Sequence, residues 1–516
     1  MEKFYLPVIV KDIVTSGIFE ILMDILFVHP NASHKLYQKL HIDYSGIEPP
    51  IWAGMLANYC RKKADVSILD CEANRYTLKQ SIDTIKYLNP KLICFVVYGQ
   101  EPSASARNMQ GVRDLLEELD EEFKTILVGL YPSAVSRKTM EDEKTNFVCQ
   151  GEGPYTLDAL LEVDMDDILQ LKEVPGLWYR DGKEILCNSM APLISQNRLE
   201  HDLPGVAWDL LPPLHMYRNT AHFSMTNNND RTPFVSLYTS LGCPYKCNFC
   251  CINAPFGNNN VENSTLGSSF RYWRPEFMIQ QFDNFAKWGV KNIKIADEMF
   301  VLNPSHFLKL CEMIKEREYD FNIWAYARVN TVKDEYLETL KGAGINWLAL
   351  GIESGNRNVR LEETKGKFSE VDIKEIVRKI EHNDIEVISN YMFGLTTDTM
   401  ETMQETLDLA IELNTSWVNF NPNMAFPGST TYLQALSEGW DLPTKYSEWS
   451  YYSYDSKPLD NKNLTRGQII SFRDEAFKKY HNRKEWFEKI ERKFGQNTVD
   501  IFKDQLKINL KRKYVS

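Results

Sequence analysis

The N-terminal part of the chain alternates short apolar runs with segments of helical periodicity. Five runs have the length and composition of buried β-strands, at 24–28, 66–70, 92–97, 125–128 and 146–149. Helical periodicity lies between them, most clearly over 50–60, which begins with proline, and over 104–119. Strands that alternate with helices are typical of parallel βαβ units. The pattern predicts a doubly wound, Rossmann-like α/β domain over residues 1–165.

The same alternation returns after residue 233. Strands are predicted at 234–240, 291–296, 322–327, 347–352, 386–392 and 416–421. Helices are predicted at 276–288, 304–317, 333–343, 370–383 and 399–413. Six βα repeats are fewer than the eight of a closed barrel. The pattern predicts a partial (β/α)6 barrel over residues 231–438.

The two remaining segments are less regular. Residues 166–230 are predicted to form a linker that contains a hairpin at 178–186, centred on Asp181-Gly182. Residues 439–516 are predicted to form a small helical domain, with helices at 475–480, 486–494 and 498–511. The tail is rich in aromatic residues, among them Tyr451 and Tyr452, which we expect to pack the tail rather than close a cavity.

Composition narrows the class of protein. The 516 residues include 43% apolar and 25% charged positions, which is an ordinary globular balance. The formal net charge of −12 argues against nucleic acid or an anionic membrane as the main partner. No run approaches the ~18 apolar residues of a spanning helix, and the first residues lack the shape of a signal peptide. We therefore expect a cytoplasmic protein whose ten cysteines are not a disulfide framework.

Three of the cysteines have metal-ligand spacing. Cys243, Cys247 and Cys250 form C-x3-C-x2-C, with Phe249 before the last thiol. Three thiolates can hold three corners of a [4Fe–4S] cluster and leave the fourth iron open for chemistry. A zinc site is the rival interpretation, but it requires four ligands, and neither the adjacent Cys251 nor a nearby histidine supplies the fourth. The loop follows the first predicted barrel strand, where barrel enzymes build their active sites.

This motif resembles C-x3-C-x-aromatic-C, the signature of the radical S-adenosylmethionine (radical SAM) superfamily. The resemblance implies a [4Fe–4S] cluster bound by the three cysteines and S-adenosylmethionine (SAM) bound at the open iron. It also implies that Phe249 flanks the adenine, although this ring could instead pack beneath the cluster.

Later strand ends carry weaker resemblances to the same superfamily. They imply that Glu298 or Asp297 meets the SAM amino group, although an aspartate there could equally cap a helix. Arg328 would contact the SAM carboxylate, for which bidentate geometry is suited. Glu353 and Ser354 stand in a G-x-E-S segment that would contact the ribose. Asn390 stands in a segment like the G-L-P-x-E-T of relatives and is also expected at the cofactor.

Glycine-bearing turns follow three strands of the first domain, where a doubly wound sheet binds its ligands. With the G-E-G element and the following Thr156-Leu157, this region resembles the cobalamin-binding domain of class B radical SAM methyltransferases. The resemblance implies cobalamin contacts from the three turns: Gly99, Gln100, Ser103, Gly129, Gly151, Glu152 and Gly153.

Two departures from that pattern affect the cobalamin site. There is no D-x-H-x-x-G, so no histidine ligand to cobalt is expected, and His29 and His34 are expected to be solvated or to cap helices. Leu130 stands where relatives have a second glycine, and its side chain is expected to intrude on a corrin ring.

The resemblance implies an enzyme that cleaves SAM to a 5′-deoxyadenosyl radical and, with cobalamin, methylates an unactivated carbon. An enzyme of the same architecture with a non-methylating reaction, such as cyclisation, rearrangement or sulfur insertion, remains an alternative. A non-catalytic iron–sulfur carrier is a third. The expected partners are a small-molecule or natural-product substrate and an electron donor such as flavodoxin or ferredoxin.

Overall fold

The computed structural model describes residues 23–31, 36–98, 102–257 (without the side chains of 102–104, 106 and 107), 270–364 and 372–515. Its N-terminal sheet has seven strands: β1 Ile25–His29, β2 Val66–Asp70, β3 Leu92–Val97, β4 Lys124–Gly129, β5 Phe147–Cys149, β6 Leu177–Asp181 and β7 Glu184–Cys187. The strand order is β2-β1-β3-β4-β5-β6-β7, and the first five strands are parallel. This confirms the doubly wound domain.

Helices accompany these strands. They are α1 Leu40–Asp43, α2 Ile51–Cys60, α3 Leu78–Leu88, α4 Pro102–Glu118, α5 Leu130–Ala134, α6 Ser136–Asp142, α7 Pro154–Leu161, α8 Ile168–Leu171 and α9 Leu199–Asp202. Short 3-10 turns follow at Trp208–Leu210, Leu214–Met216 and His222–Asn227.

The hairpin that we assigned to the linker is part of the first sheet. β6 pairs antiparallel with β5, so that Val148 faces Trp178 and Cys149 faces Leu177. The hairpin therefore satisfies the backbone groups that β5 would otherwise expose at the sheet edge.

The second sheet is parallel and has the order β15-β14-β13-β12-β11-β8. Its strands are β8 Phe234–Leu237, β11 Asn292–Ile295, β12 Asn322–Arg328, β13 Ile345–Glu353, β14 Glu386–Phe393 and β15 Trp417–Pro422. Two short strands, β9 Ser240–Leu241 and β10 Arg271–Tyr272, form a separate antiparallel pair. Since β8 and β15 pair with one neighbour each in the described residues, the six-stranded barrel is open, as predicted.

Helices connect the barrel strands and continue into the tail. They are α10 Pro275–Lys287, α11 Pro304–Lys315, α12 Asp334–Gly342, α13 Arg357–Glu363, α14 Ile373–His382, α15 Met400–Leu413, α16 Thr430–Glu438, α17 Arg466–His481, α18 Lys484–Phe494 and α19 Gln496–Leu506. Further 3-10 turns lie at Ala254–Phe256, Val329–Thr331 and Tyr446–Trp449. Helix α17 begins nine residues before the predicted position because Thr465 and Gln468 form a capping box, which we overlooked in the sequence.

Both domains and the tail share one continuous apolar core. Its largest fully buried side chains include Trp52, Trp273, Trp347 and Trp486, which come from each part of the chain. None of the helices in the described part of the chain is long and apolar enough to cross a membrane.

A buried ion pair joins the loop after β5 in the first domain to the β9–β10 strand pair. Arg271 on β10 donates from Nη2 to Glu152 Oε1 at 2.7 Å, and the two side chains are 8% and 5% exposed. The second carboxylate oxygen accepts a hydrogen bond from the backbone N–H of Ile194 at 2.7 Å, and Arg271 donates to the carbonyl of Ile194 at 2.6 Å. Both carboxylate oxygens of Glu152 and both terminal nitrogens of Arg271 therefore have a partner.

We predict that Arg271→Leu lowers the free energy of unfolding by about 3–5 kcal/mol, because it leaves the Glu152 charge buried without its partner. Adding Glu152→Leu should recover part of the loss, which a double-mutant cycle on thermal unfolding would measure. Arg274→Leu is the matched control, since its pair with Glu200 is exposed and should cost about 0–1 kcal/mol. Equal losses of unfolding free energy in the Arg271→Leu and Arg274→Leu variants would contradict a structural role for the buried ion pair.

Gly129 yields a second prediction about the fold. Its φ is +135°, and a Cβ there would stand 2.3 Å from the carbonyl oxygen of Val97 on the neighbouring strand. Gly129→Ala should therefore lower the free energy of unfolding by about 3 kcal/mol or more. Gly182→Ala is the control, because its φ of +59° is also positive but a Cβ meets nothing within 4 Å. If thermal unfolding shows the same loss of unfolding free energy for both variants, close packing against β3 is not what requires glycine at position 129.

Candidate functional site

A cavity of about 600 Å³ lies where the carboxyl ends of the two sheets meet. Its wall includes His29 and Tyr98 from the ends of β1 and β3, and Arg328 and Glu353 from the ends of β12 and β13. The 3-10 turn at His222–Asn227 and the C-terminal tail complete it. Loops at the carboxyl ends of parallel strands are where such domains bind ligands, and here both sets open into one space.

The cysteine loop forms part of this wall. Cys243 and Cys247 are half-buried, and Cys250 is exposed towards the cavity. Asn253 braces the loop, since its Oδ1 accepts the backbone N–H of Cys243 at 3.1 Å and its Nδ2 donates to the Cys243 carbonyl at 2.8 Å. Although Cys250 is open to the cavity, desolvation by the enclosing protein raises the pKa of each of the three thiols to about 12, so iron binding there must release protons.

The donor set fits three-thiolate iron chemistry in its composition and position. As they stand, however, no three Cys, His, Asp or Glu side chains within the described ranges are close enough together to hold a metal ion. In a [4Fe–4S] cluster each thiolate binds a different iron, so the three sulfurs need not meet at one ion, and their shared position on the cavity wall fits such a ligand set.

The structure separates the two acidic residues that follow β11. Glu298 lines the cavity, and its Oε2 accepts the backbone N–H of Gly242 at 3.1 Å, whereas Oε1 is buried without a partner among the described residues. Burial raises the pKa of Glu298 to about 8. Asp297 instead lies behind the wall and accepts hydrogen bonds from Thr239 and Ser240, each at 2.6 Å. Glu298 is thus the acid that faces a ligand, and Asp297 braces the strand before the cysteine loop.

Arg328 and Glu353 lie on neighbouring strands at the cavity. The Arg328 guanidinium stacks over the Tyr245 ring, 4.1 Å from its centroid, which connects β12 to the cysteine loop. Glu353 has a φ of +68°, and the register with β14 shifts between Gly351 and Glu353. Such a bulge re-aims a side chain at a functional site. Burial raises the pKa of Glu353 to about 7, and the nearby Arg328 opposes this shift.

The remaining predicted residues of the barrel divide into two groups. Asn390 and Phe249 both line the cavity, and Phe249 also packs on a small apolar cluster that includes Met392. Ser354 is fully buried away from the cavity lining, where its hydroxyl contacts that of Thr406 at 3.3 Å and accepts the backbone N–H of Asn356. The structure does not bring Ser354 to the site, because it serves the start of α13.

The two glycine turns of the first domain that the structure describes do not line the cavity. Gly129 packs against β3, Gly151 exchanges hydrogen bonds with the Ser133 hydroxyl, and Gly153 lies where a Cβ would stand 3.0 Å from Leu56 and from Val128. Glu152 is engaged by Arg271. Gly129 and Gly153 need glycine for their own packing, and neither of them nor Gly151 lies on the cavity wall. Gly99, Gln100 and the Ser103 side chain lie outside the described residues.

Sequence reasoning missed the residues that do face the cavity from this domain. His29, Glu72, Tyr98 and Asn108 line it beside β1 and β3, where the strand order reverses and doubly wound sheets bind ligands. His29 Nδ1 and Asn108 Nδ2 are buried without partners among the described residues. His29 is therefore neither solvated nor a cap. His34 lies outside the described residues.

Leu130 does not obstruct the crevice beside β1 and β3. Its side chain is 2% exposed, belongs to the apolar core and is absent from the cavity wall. The expected intrusion on a corrin is not seen, and the buried polar atoms of His29 and Asn108 are compatible with a large polar ligand there.

The tail also contributes to the site. Tyr451 and Tyr452 line the cavity rather than only packing the tail, together with residues of α17 and of the segment after α19. Gln38 of the first domain holds this segment in place, because its Nε2 donates to the carbonyls of Tyr452 at 2.8 Å and Lys511 at 3.2 Å.

Comparison with known families agrees with both halves of the cavity. Residues 237–410 match the Radical SAM superfamily, and residues 38–161 match the B12 binding domain. The first match contains the cysteine loop and the acid, arginine and glutamate at the next strand ends. The second contains the cavity-lining residues Glu72, Tyr98 and Asn108.

Similar proteins extend over most of the chain. An uncharacterized methyltransferase of Pyrococcus horikoshii is 24% identical over 437 residues, which is 84% of this chain and 88% of that protein. An anaerobic magnesium-protoporphyrin IX monomethyl ester cyclase of Cereibacter sphaeroides is 22% identical, over 90% of this chain and 71% of that protein. Among solved structures, the radical SAM methyltransferase TsrM of Kitasatospora setae, with cobalamin and a [4Fe–4S] cluster bound, matches with a TM-score of 0.63 and 16% identity, over 88% of this chain and 91% of that chain.

The two family matches coincide with the two sheets that enclose the cavity. The family implies a [4Fe–4S] cluster and SAM for the second sheet and cobalamin for the first. The chain is a radical SAM superfamily enzyme with an N-terminal B12-binding domain.

Proposed function

We propose that this enzyme methylates an unactivated carbon of a small-molecule or natural-product substrate. The observation that carries this proposal is the common cavity, which exposes the cysteine loop and the crevice beside β1 and β3 to the same space. A substrate bound in this cavity would lie beside both cofactor sites at once, so it need not move from one binding site to another between steps. The named methyltransferases among the similar proteins support the same reaction class.

On the barrel side, Cys243, Cys247 and Cys250 would hold the cluster. Glu298 would accept a hydrogen bond from the SAM amino group, and Arg328 would pair with the SAM carboxylate. Glu353 and Asn390, which also line the cavity, would contact the ribose, and Phe249 would flank the adenine. When bound, the cluster and SAM supply a one-electron route to a carbon radical, and cobalamin supplies a methyl group.

On the other side, His29 and Asn108 would donate or accept hydrogen bonds at the cobalamin. Tyr98 stacks on Trp52, with ring centroids 4.6 Å apart, and this aromatic pair gives the crevice a rigid floor. The protein's own contribution is to position SAM, cobalamin and the substrate and to exclude water from the cavity. The tail, which is hydrogen-bonded to Gln38 of the first domain, and the buried ion pair between Glu152 and Arg271 suit this role. A small electron-transfer protein such as flavodoxin or ferredoxin would reduce the cluster.

A non-methylating reaction is the second candidate. It is favoured by the similarity to the cyclase, which extends over 90% of this chain and therefore includes both domains. The architecture alone does not choose between cyclisation and methyl transfer.

Product analysis distinguishes the two. Anaerobically purified holoenzyme, a reductant, SAM with a deuterated methyl group and a metabolite extract should yield S-adenosylhomocysteine together with 5′-deoxyadenosine, and a deuterated product by mass spectrometry. A cyclase should yield 5′-deoxyadenosine without S-adenosylhomocysteine and without label in the product. If neither nucleoside product forms, both enzyme proposals are wrong.

The cysteine assignment is tested separately. Each of Cys243→Ala, Cys247→Ala and Cys250→Ala should lose most of the iron and sulfide and abolish reductant-dependent SAM cleavage, because three thiolates are needed to hold the cluster. Cys187→Ala is the control, since this exposed thiol lies on β7 away from the cavity and should leave iron content and cleavage unchanged. Full iron in a Cys243→Ala protein would disprove the assignment.

A further inference from the structure

The tail presents a group of cationic side chains to the cavity. Helix α17 contributes Arg473, Asp474, Phe477 and Lys478 to the wall. Arg473 is 5% exposed, and it donates from Nε to the carbonyl of Phe420 at 2.7 Å and from Nη1 to Asp474 at 2.8 Å. A guanidinium so deeply buried requires negative charge nearby.

The one carboxylate available to it is shared. Asp474 also accepts two hydrogen bonds from Arg512, at 2.7 Å from Nε and 2.9 Å from Nη2. Although burial favours the neutral acid, hydrogen bonds from Arg512 and Arg473 hold the pKa of Asp474 below its usual range. Asp474 is therefore ionised, and it supplies one negative charge to two guanidiniums.

Lys478 adds a further positive charge. Its ammonium group donates to the side-chain oxygen of Asn509, which is neutral, and no described carboxylate forms an ion pair with it. Two cations of the wall, Arg473 and Lys478, and Arg512 behind it thus have one carboxylate beside them among the described residues, which leaves an excess of two positive charges next to the cavity. This is unusual in a chain whose net charge is −12.

The same stretch of wall also carries one unsatisfied hydrogen-bond acceptor. The side-chain oxygen of Gln505 is buried without a hydrogen-bond partner in the described part of the chain, and Gln505 lines the cavity. Because an amide oxygen accepts and does not donate, it is satisfied by water or by a donor group of a ligand and is not itself a contact for a carboxylate.

The surrounding wall is apolar and aromatic. It consists of Tyr451, Tyr452, Phe477, Leu506, Ile508 and Leu510. Tyr452 and Phe477 lie 5.3 Å and 5.7 Å from the Arg473 guanidinium, which holds the charge against their rings. The chamber therefore combines an anion site with a surface for a large apolar body.

We propose that this part of the cavity, the tail subsite, binds the carboxylate of the substrate, and that the substrate is an organic acid with a large apolar or aromatic body. This inference rests on the proposed function, because it assigns to the substrate the part of the cavity that neither cofactor site occupies. Lys478 contacts the carboxylate directly, and Arg473 and Arg512 supply the positive potential behind it.

Fluorescence titration tests the subsite without turnover. Holoenzyme loaded with cluster, cobalamin and SAM, without reductant, is titrated with pyrenebutyrate and with the uncharged pyrenebutanol. The acid should bind about tenfold more tightly than the alcohol, as expected for a charge-assisted contact. Lys478→Gln should abolish this preference and leave the affinity for pyrenebutanol within about twofold, whereas Lys478→Arg should retain it. Lys479→Gln, at the exposed neighbouring position, is the matched control and should bind both probes as the unmodified protein does.

Several results would overturn the subsite. They are equal affinity for acid and alcohol, no saturable binding of either probe, or an equal effect of the variants at 478 and 479.

The phosphodiester of cobalamin is the other anion that could occupy the site. If Lys478→Gln weakens the binding of cobalamin but not of cobinamide, which lacks that group, the charge serves the cofactor and the proposal is wrong. Because no step requires catalysis, a failure of methyl transfer would leave these affinities unchanged, and the two failures are distinguishable.

Discussion

The buried contact among Glu152, Arg271 and Ile194 is the interaction on which the common cavity depends. Each sheet gathers its loops at one edge, because parallel strands all end on the same side. Two such edges form one site only if they are held face to face. A buried ion pair contributes little net stability compared with apolar packing, but it is costly to break on one side alone. It therefore selects a particular relative placement of the two sheets more than it strengthens the association.

The glycines that follow strands in the first domain have two possible explanations. A glycine after a strand allows a ligand to approach the backbone, but it also permits a positive φ or close packing against a neighbouring strand. Gly129 and Gly153 meet the second requirement, with Val97 and Leu56 as neighbours. One sequence cannot separate the two causes, because both produce the same residue at the same place. Ser354 poses the same ambiguity, since a hydroxyl can serve a helix start as readily as a ribose.

Local sequence patterns were sufficient to predict those elements whose structure is set by residues close together in the sequence. The strands at Val66–Asp70 and Leu92–Val97 have the predicted bounds because each is a short, mainly apolar run that begins directly after a charged residue, Asp65 or Lys91. The cysteine loop, Glu298, Arg328 and Glu353 could be placed together because consecutive strands of a parallel barrel must end at one mouth. The hairpin at Leu177–Cys187 could be identified, but not its pairing with β5, since that partner lies beyond the span that a turn controls.

The tail required information that no local pattern contains. Gln38 and Tyr452 are 414 positions apart, yet their hydrogen bond fixes the segment that closes the cavity. The tail brings its cationic groups to the cavity wall, while the cysteine loop occupies the wall at the barrel mouth. An acid held at the tail would direct its apolar body into the remaining space between the two cofactor sites. Radical chemistry acts on carbon–hydrogen bonds that carry no charge of their own, so the enzyme cannot recognise the reacting carbon by electrostatics. Fixing a remote charged group is the way such a carbon can be positioned, and the excess positive charge on α17 provides that fixed point.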